Sequence, residues 1–271
     1  MDDKFVTVDG IRTRYWEQGS GPALILLHGA ALGSSVEVWD STIGPLASRG
    51  LHVYALEWPG WGLTDWPEHH KPSDRPAFVI RFMDELGIAK AAIVGHSMSG
   101  NVVVNAAFAY PDRISHIIVL GTGTLLPPLP DKPAPAGGER VSAEPTIQDT
   151  RKDISANTFN QAVITDELVK RRHELSVGKN YEYQVRRQEA AGGGGGGTPL
   201  WQRLDQIPVP ALFLYGREDR GEAGKRTEIA RQRYPNLNLH VFDGCKHMVM
   251  WDHPDEFVSL TADFVKQAVP A

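Results

Sequence analysis

Ala91-Ala92-Ile93-Val94-Gly95-His96-Ser97-Met98-Ser99-Gly100-Asn101-Val102-Val103-Val104 is the stretch on which the reading of this chain turns. A short apolar run meets a serine framed by small residues, and a second apolar segment follows at once. The pattern predicts a strand, a sharp turn and a helix. On such a turn the serine backbone is tight and strained, so its hydroxyl projects from the end of a buried strand above the start of the next helix. That is the placement of a nucleophile. The pattern is G-x-S-x-G with one departure, because Ser99 stands where the last glycine belongs and Gly100 follows it. A glycine-serine cluster between apolar runs is also an ordinary loop, so the rest of the chain has to supply a base, an acid and an oxyanion site.

On either side of this stretch, strand and helix signals alternate. Lys4 to Val8 and Arg12 to Glu17 alternate apolar and polar residues around Asp9-Gly10, the pattern of a β-hairpin at an antiparallel sheet edge. Ala23 to Leu27 and Leu51 to Leu56 are unbroken apolar runs, which predict strands buried on both faces, as in a parallel sheet. Val38 to Arg49 and Pro76 to Leu86 have helical length and spacing, so the order strand, helix, strand, helix predicts an α/β fold. Asn101 to Tyr110 then predicts a helix ended by Pro111, and His116 to Leu120 another buried strand. Beyond it the character changes. Leu125 to Gly138 is dense in proline, Ala156 to Gln188 carries charge-rich helical stretches, and Gly192 to Gly197 is all glycine. This predicts a mainly helical cap at residues 123–198, with a flexible exit, inserted between core segments 1–122 and 199–271. The alternation resumes with a strand over Ala211 to Tyr215, a helix around Lys225 to Arg233, a strand over Leu239 to Phe242 and a final helix from Asp255 to Ala268.

With 271 residues the chain can form one large α/β domain or two small ones. Its net charge is -5, and basic residues cluster only at Lys170-Arg171-Arg172 and Arg186-Arg187, which argues against a nucleic-acid surface and for a small-molecule substrate. The start, Met1-Asp2-Asp3-Lys4, lacks the features of a secretory signal, and no apolar run is long enough to span a bilayer, so a cytoplasmic protein without membrane partners is expected. The single cysteine, Cys245, excludes an internal disulfide. No metal-ligand cluster, phosphate loop or dinucleotide fingerprint is visible, and no cofactor is expected.

In an α/β sheet the chemistry sits on loops at the carboxyl ends of strands. Tyr215-Gly216-Arg217-Glu218-Asp219 follows the penultimate predicted strand and Asp243-Gly244-Cys245-Lys246-His247 the last, which puts serine, acid and histidine in the required chain order. Asp219 is the expected acid, with Glu218 the alternative. Its carboxylate would accept the Nδ1 proton of His247, leaving Nε2 to take the proton of Ser97, whose hydroxyl otherwise attacks poorly. Among the other histidines, His69, His70, His173 and His253 lie in polar surroundings, and His96 adjoins the serine without being placed as its base. His28-Gly29-Ala30-Ala31 ends an earlier strand, and the N–H groups of Ala30 and Met98 are the expected oxyanion donors.

On these landmarks, together with Pro59-Gly60-Trp61-Gly62 and Tyr110-Pro111-Asp112-Arg113, the chain resembles the α/β-hydrolases over nearly its full length. The resemblance implies an α/β-hydrolase fold with a mostly parallel central sheet flanked by helices, and a Ser97-His247-Asp219 triad. Serine at 97 sets it apart from the dehalogenase and epoxide hydrolase branches, which use aspartate there. A narrower resemblance is to the meta-cleavage product hydrolases, which split carbon-carbon bonds in dienoate products of aromatic ring opening. Ile164-Thr165-Asp166-Glu167-Leu168-Val169-Lys170-Arg171-Arg172 is similar to their cap helix, which implies that Arg172 binds the substrate carboxylate. His240 to His247, continuing through Trp251-Asp252-His253-Pro254 to Phe257, is similar to their C-terminal motif. The chain departs from them in three places: Ala30-Ala31-Leu32 interrupts the glycine-rich loop, His96 replaces an asparagine and Met248 a tryptophan. The last two are substrate contacts by the same resemblance. A carboxylesterase or lactonase therefore stands beside the carbon-carbon hydrolase, with a cofactor-free haloperoxidase-like enzyme and a ligand-binding receptor as further alternatives. Phe159, Tyr181, Tyr183 and Trp201 either suggest an apolar or aromatic substrate or form the cap's own core.

Overall fold

The computed structural model describes residues 1–66, 74–132, 143–190 and 198–267. His69, His70, much of the proline-rich segment and the six-glycine run lie outside the described residues. Eight strands form one sheet: β1 (Lys4–Val8), β2 (Ile11–Gly19), β3 (Ala23–Leu27), β4 (His52–Leu56), β5 (Ala91–His96), β6 (Ile114–Leu120), β7 (Ala211–Gly216) and β8 (Leu239–Phe242). Their spatial order is β1-β2-β4-β3-β5-β6-β7-β8. The hairpin β1–β2 and the pair β2–β4 are antiparallel, and every other neighbouring pair is parallel. Asp9 (φ 52°) and Gly10 (φ 78°) make the hairpin turn with two positive φ angles, as its two-residue length demands.

Nine helices among the described residues complete the fold: α1 (Asp40–Ser48), α2 (Arg75–Glu85), α3 (Met98–Ala109), α4 (Ile147–Asn157), α5 (Asp166–Glu174), α6 (Lys179–Ala190), α7 (Ala223–Arg233), α8 (Val249–Asp252) and α9 (Pro254–Val265). The apolar strands predicted from sequence are buried on both faces, and the period-2 pleat sorts their side chains into two cores. Ile25, Leu27, Ile93, Ile117, Val119 and Phe213 face one core, packed against residues of α2, α3 and α7. Leu24, Leu26, Val94, Ile118, Leu120 and Leu214 face the other, packed against residues of α1, α8 and α9.

Two boundaries differ from the sequence expectation by three residues, more than the others. The third helix begins at Met98, immediately after the serine, because the turn occupies a single residue. The last helix ends at Val265, where its apolar stripe ends. Between β6 and β7 lie α4, α5 and α6, with α4 packed on α5.

Strand order creates the crevice. From β3 the chain steps outward to β4, then returns across β3 to β5 on its other side. The loops leaving the carboxyl ends of β3 and β5 therefore diverge, which opens a crevice at this switch point. The segments after β3 and β5, His28-Gly29-Ala30-Ala31 and Ser97, are two of the four that the sequence marks for chemistry.

Candidate active site

Ser97 lies alone between β5 and α3 with φ 56° and ψ -119°, one of three non-glycine residues with positive φ among the described residues. Such a backbone costs on the order of 1–3 kcal/mol and survives only where neighbours hold it. Ser97 N–H donates to the Leu120 carbonyl at 2.8 Å, and Thr122 Oγ1 donates to the Ser97 carbonyl at 2.6 Å. A Cβ on Gly95 would stand 2.3 Å from the Ser99 carbonyl oxygen, and one on Gly100 would stand 1.9 Å from Thr122 Oγ1. These two glycines let the strand, helix and β6 loop close on the serine. At Ser99 a side chain is accommodated: its Oγ donates to the His28 carbonyl (2.5 Å) and accepts from Trp58 Nε1 (3.0 Å). The irregular motif thus ties the turn to the end of β3.

His247 and Asp219 meet as expected. Nδ1 of His247 is 2.9 Å from Oδ2 of Asp219, both side chains being buried, and Oδ1 of Asp219 accepts the Arg220 N–H at 2.7 Å. Glu218 points elsewhere and accepts the Cys245 N–H at 2.9 Å. Asp219 is therefore the carboxylate on the histidine. The backbone N–H groups of His247 and Met248 both donate to the Asn157 carbonyl, at 3.0 and 3.1 Å, which ties the histidine loop to the end of α4. Nε2 of His247 accepts from Nη2 of Arg220 at 3.1 Å. Among the described residues no hydrogen bond joins it to Ser97 Oγ, and in free enzymes this bond commonly tightens only with substrate bound.

At the end of β3, His28 is wholly buried, with its Nδ1–H donating to the Gly29 carbonyl (2.8 Å) and its Nε2 accepting the Trp58 N–H (3.1 Å). Acceptance at Nε2 requires the neutral ring, and burial lowers its pKa from 6.5 to about 3. The ring fixes the turn that carries Gly29 and Ala30. A Cβ on Gly29 would stand 3.0 Å from Ser97 Cβ, so this turn passes directly beside the serine. Met98 begins α3, and the first N–H groups of a helix have no intrahelical acceptor.

Ser97, His247, Ala30, His96, Arg172 and Met248 line one cleft. His96 Nε2 donates to the His247 carbonyl (3.2 Å), so Nδ1 carries the lone pair; it is buried without a partner. Burial, then the nearby His247, pushes the His96 pKa well below 6.5. Arg172 belongs to the inward side of α5 with Val169, three residues before it, and both are buried. Its neighbour Arg171 faces outward and pairs with Glu37 at 2.6 Å, in a network that also contains Arg14 and Glu57. No carboxylate within ion-pairing distance faces Arg172 among the described residues, its Nε is buried without an acceptor, and burial lowers its pKa. Asp153 and Glu37 act on it in the opposite direction without reaching ion-pairing distance, and a buried guanidinium so placed is costly.

Phe159, Tyr181, Tyr183 and Trp201 do not line the cleft: Phe159 is largely exposed, Tyr183 stacks on Trp66 (6.0 Å between centroids), and Trp201 packs beside Arg233. The apolar lining comes instead from Ile154, Met248 and Trp251. Asp153, Asn157 and Arg220 also line the cleft and were not singled out in the sequence. Arg220 had a signal, since it directly follows the acid; the two α4 residues had none.

The sequence profile described as the alpha/beta hydrolase family matches residues 24–260. The chain belongs to the alpha/beta hydrolase family. It is similar to the 2-hydroxy-6-oxononadienedioate/2-hydroxy-6-oxononatrienedioate hydrolase of Burkholderia vietnamiensis, 30% identical over 97% of this chain and 96% of the relative. It is also similar to the 2-hydroxy-6-oxo-6-phenylhexa-2,4-dienoate hydrolase of Burkholderia cepacia, 31% identical over 97% of this chain and 96% of that one. Among solved structures, the meta-cleavage product hydrolase of Pseudomonas fluorescens IP01 superposes with a TM-score of 0.78 at 25% identity, covering 96% of each chain.

Proposed function

We propose that this hydrolase cleaves the carbon-carbon bond next to a ketone in a 2-hydroxy-6-oxodienoate, the substrate class named for its relatives. The observation that carries this reading is the buried, unpaired Arg172 in the cleft of Ser97 and His247. An ester hydrolase needs no such cation, whereas a dienoate brings a carboxylate to satisfy it.

In this reading the carboxylate sits at Arg172 and the distant ketone lies over Ser97, with its oxygen toward the N–H groups of Ala30 and Met98. His247, held by Asp219 with its proton on Nδ1, takes the proton of Ser97 or of a water as the oxygen attacks the ketone carbon. The carbon-carbon bond then breaks, leaving the former ketone carbon as a free acid where water attacked, or as an ester on Ser97 that a water deprotonated by His247 hydrolyses in a second step. The electron pair of the broken bond passes into the carbon chain, where conjugation with the 2-oxo tautomer spreads the charge, and His247 returns the proton to that carbon. The Nδ1 lone pair of His96 supports a polar contact to the substrate and Met248 an apolar one.

The test is turnover of a yellow 2-hydroxy-6-oxo-6-phenylhexa-2,4-dienoate beside neutral aryl esters. Decolorisation that is lost in Ser97→Ala supports the reading. Ester hydrolysis with no dienoate turnover at any concentration makes the chain a carboxylesterase and overturns it.

A further inference from the structure

The atom that must receive the attacking proton is occupied by another donor. Nδ1 of His247 is committed to Asp219 at 2.9 Å, and the guanidinium of Arg220 donates to Nε2 at 3.1 Å. The arginine backbone is pinned, its N–H bonded to Asp219 Oδ1 at 2.7 Å, but its side chain is exposed and no carboxylate holds it among the described residues. Arg220 is therefore anchored beside the acid while its charged end is attached only to the base. It lines the same cleft as Arg172 of α5, and Asp153 of α4 is the carboxylate in that lining among the described residues.

A guanidinium binds a carboxylate through paired, charge-assisted hydrogen bonds, which are stronger than a single bond to a neutral imidazole. An anion entering the cleft is drawn by Arg172 and offers Arg220 the better partner. We propose that Arg220 is a specificity-determining latch on the base. In the free protein it caps His247 Nε2, and the carboxylate of the substrate draws it off, freeing Nε2 to accept the Ser97 proton as the serine oxygen forms its bond to the carbonyl carbon. A neutral substrate has nothing with which to draw the arginine away and must compete with it for the histidine. The latch rests on the proposed placing of Ser97, His247 and an anionic substrate in this cleft.

A matched pair of esters tests it independently of the carbon-carbon reaction: p-nitrophenyl acetate, which is neutral, and 4-acetoxybenzoate, which carries a carboxylate. Steady-state kcat and KM are measured for the wild type, Arg220→Gln and Arg220→Lys, with the dienoate as a third substrate. Arg220→Gln is expected to raise kcat/KM for the neutral ester about 3- to 10-fold, the factor of one net hydrogen bond. For 4-acetoxybenzoate and for the dienoate it is expected to lower kcat/KM by about 10-fold or more. Arg220→Lys, which keeps the charge but loses the fork, should fall between the two. The latch is overturned if Arg220→Gln lowers both esters alike, which would make the arginine a prop for His247, or if it leaves the neutral ester unchanged. Absence of dienoate turnover in the wild type sinks the proposed reaction instead, and the ester pair still decides the latch.

Discussion

Replacing Arg172 by methionine should make the protein more stable and a worse enzyme for anions. Arg172 is 9% exposed, and its Nε is buried without an acceptor. Removing an ion from water costs several kcal/mol, and replacing buried ions by apolar groups of similar volume commonly gains about 1–4 kcal/mol. Methionine keeps an unbranched stem against Gly33, which the arginine stem closely approaches. A gain of about 2 kcal/mol is expected. A chain of 271 residues unfolds with an entropy on the order of 0.6 kcal/mol/K, so the thermal midpoint should rise by about 3–4 °C. Turnover should move the other way. Loss of one partner of a desolvated charge pair costs about 3–4 kcal/mol, or roughly 10²- to 10³-fold in kcat/KM for the dienoate, carried mainly by KM. A neutral aryl ester should change by less than about 3-fold, since the oxyanion donors and triad are untouched. Differential scanning calorimetry and steady-state kinetics on the two substrates read both effects. A lowered midpoint together with equal losses on both substrates would refute the reasoning, because it would mean that Arg172 holds α5 to the core.

Three further outcomes are expected. Asp219→Asn should lower kcat for any substrate by about 10⁴-fold with little change in KM, because an amide favours the wrong imidazole tautomer; a loss below 10-fold would assign the acid elsewhere. Ser99→Gly, which restores the regular motif, should destabilise the protein by about 1–2 kcal/mol in urea unfolding, since the Ser99 hydroxyl bonds both the His28 carbonyl and Trp58 Nε1. Stability should fall as the pH drops below 6.5: the His28 pKa is lowered to about 3, so the unfolded chain takes up a proton that the folded one refuses. Its contribution is complete above 6.5 and lost as the pH falls toward 3, about 2 kcal/mol by pH 5 at 1.36 kcal/mol per unit. Comparison with His28→Gln isolates this group from Glu57, which burial pushes up to about 7 and which acts in the opposite direction over that range.

Much of this molecule was legible in the chain, for a local reason. Strands such as β3 and β5 are buried on both faces, so their unbroken apolar runs announce them, and a two-residue Asp9-Gly10 turn admits little but a hairpin. The serine turn, the acid and the histidine each stand at the end of such a run, so their chain order already points to one site. Side-chain direction and the company each group keeps were decided only by packing. In the run Lys170-Arg171-Arg172, helical phase turns Arg171 outward to Glu37 and Arg172 inward to the cleft, and the partners that make this difference lie more than a hundred residues away in the chain. Asn157 and Asp153 reach the cleft because α4 packs over the histidine loop, a contact that no local pattern encodes. The four aromatics could not be assigned to cleft or cap from the chain, because composition near a site says nothing of orientation. The choice of Asp219 over Glu218 is of the same kind: the two carboxylates are adjacent in the chain, and the loop conformation after β7 sends one to the His247 ring and the other to the Cys245 N–H.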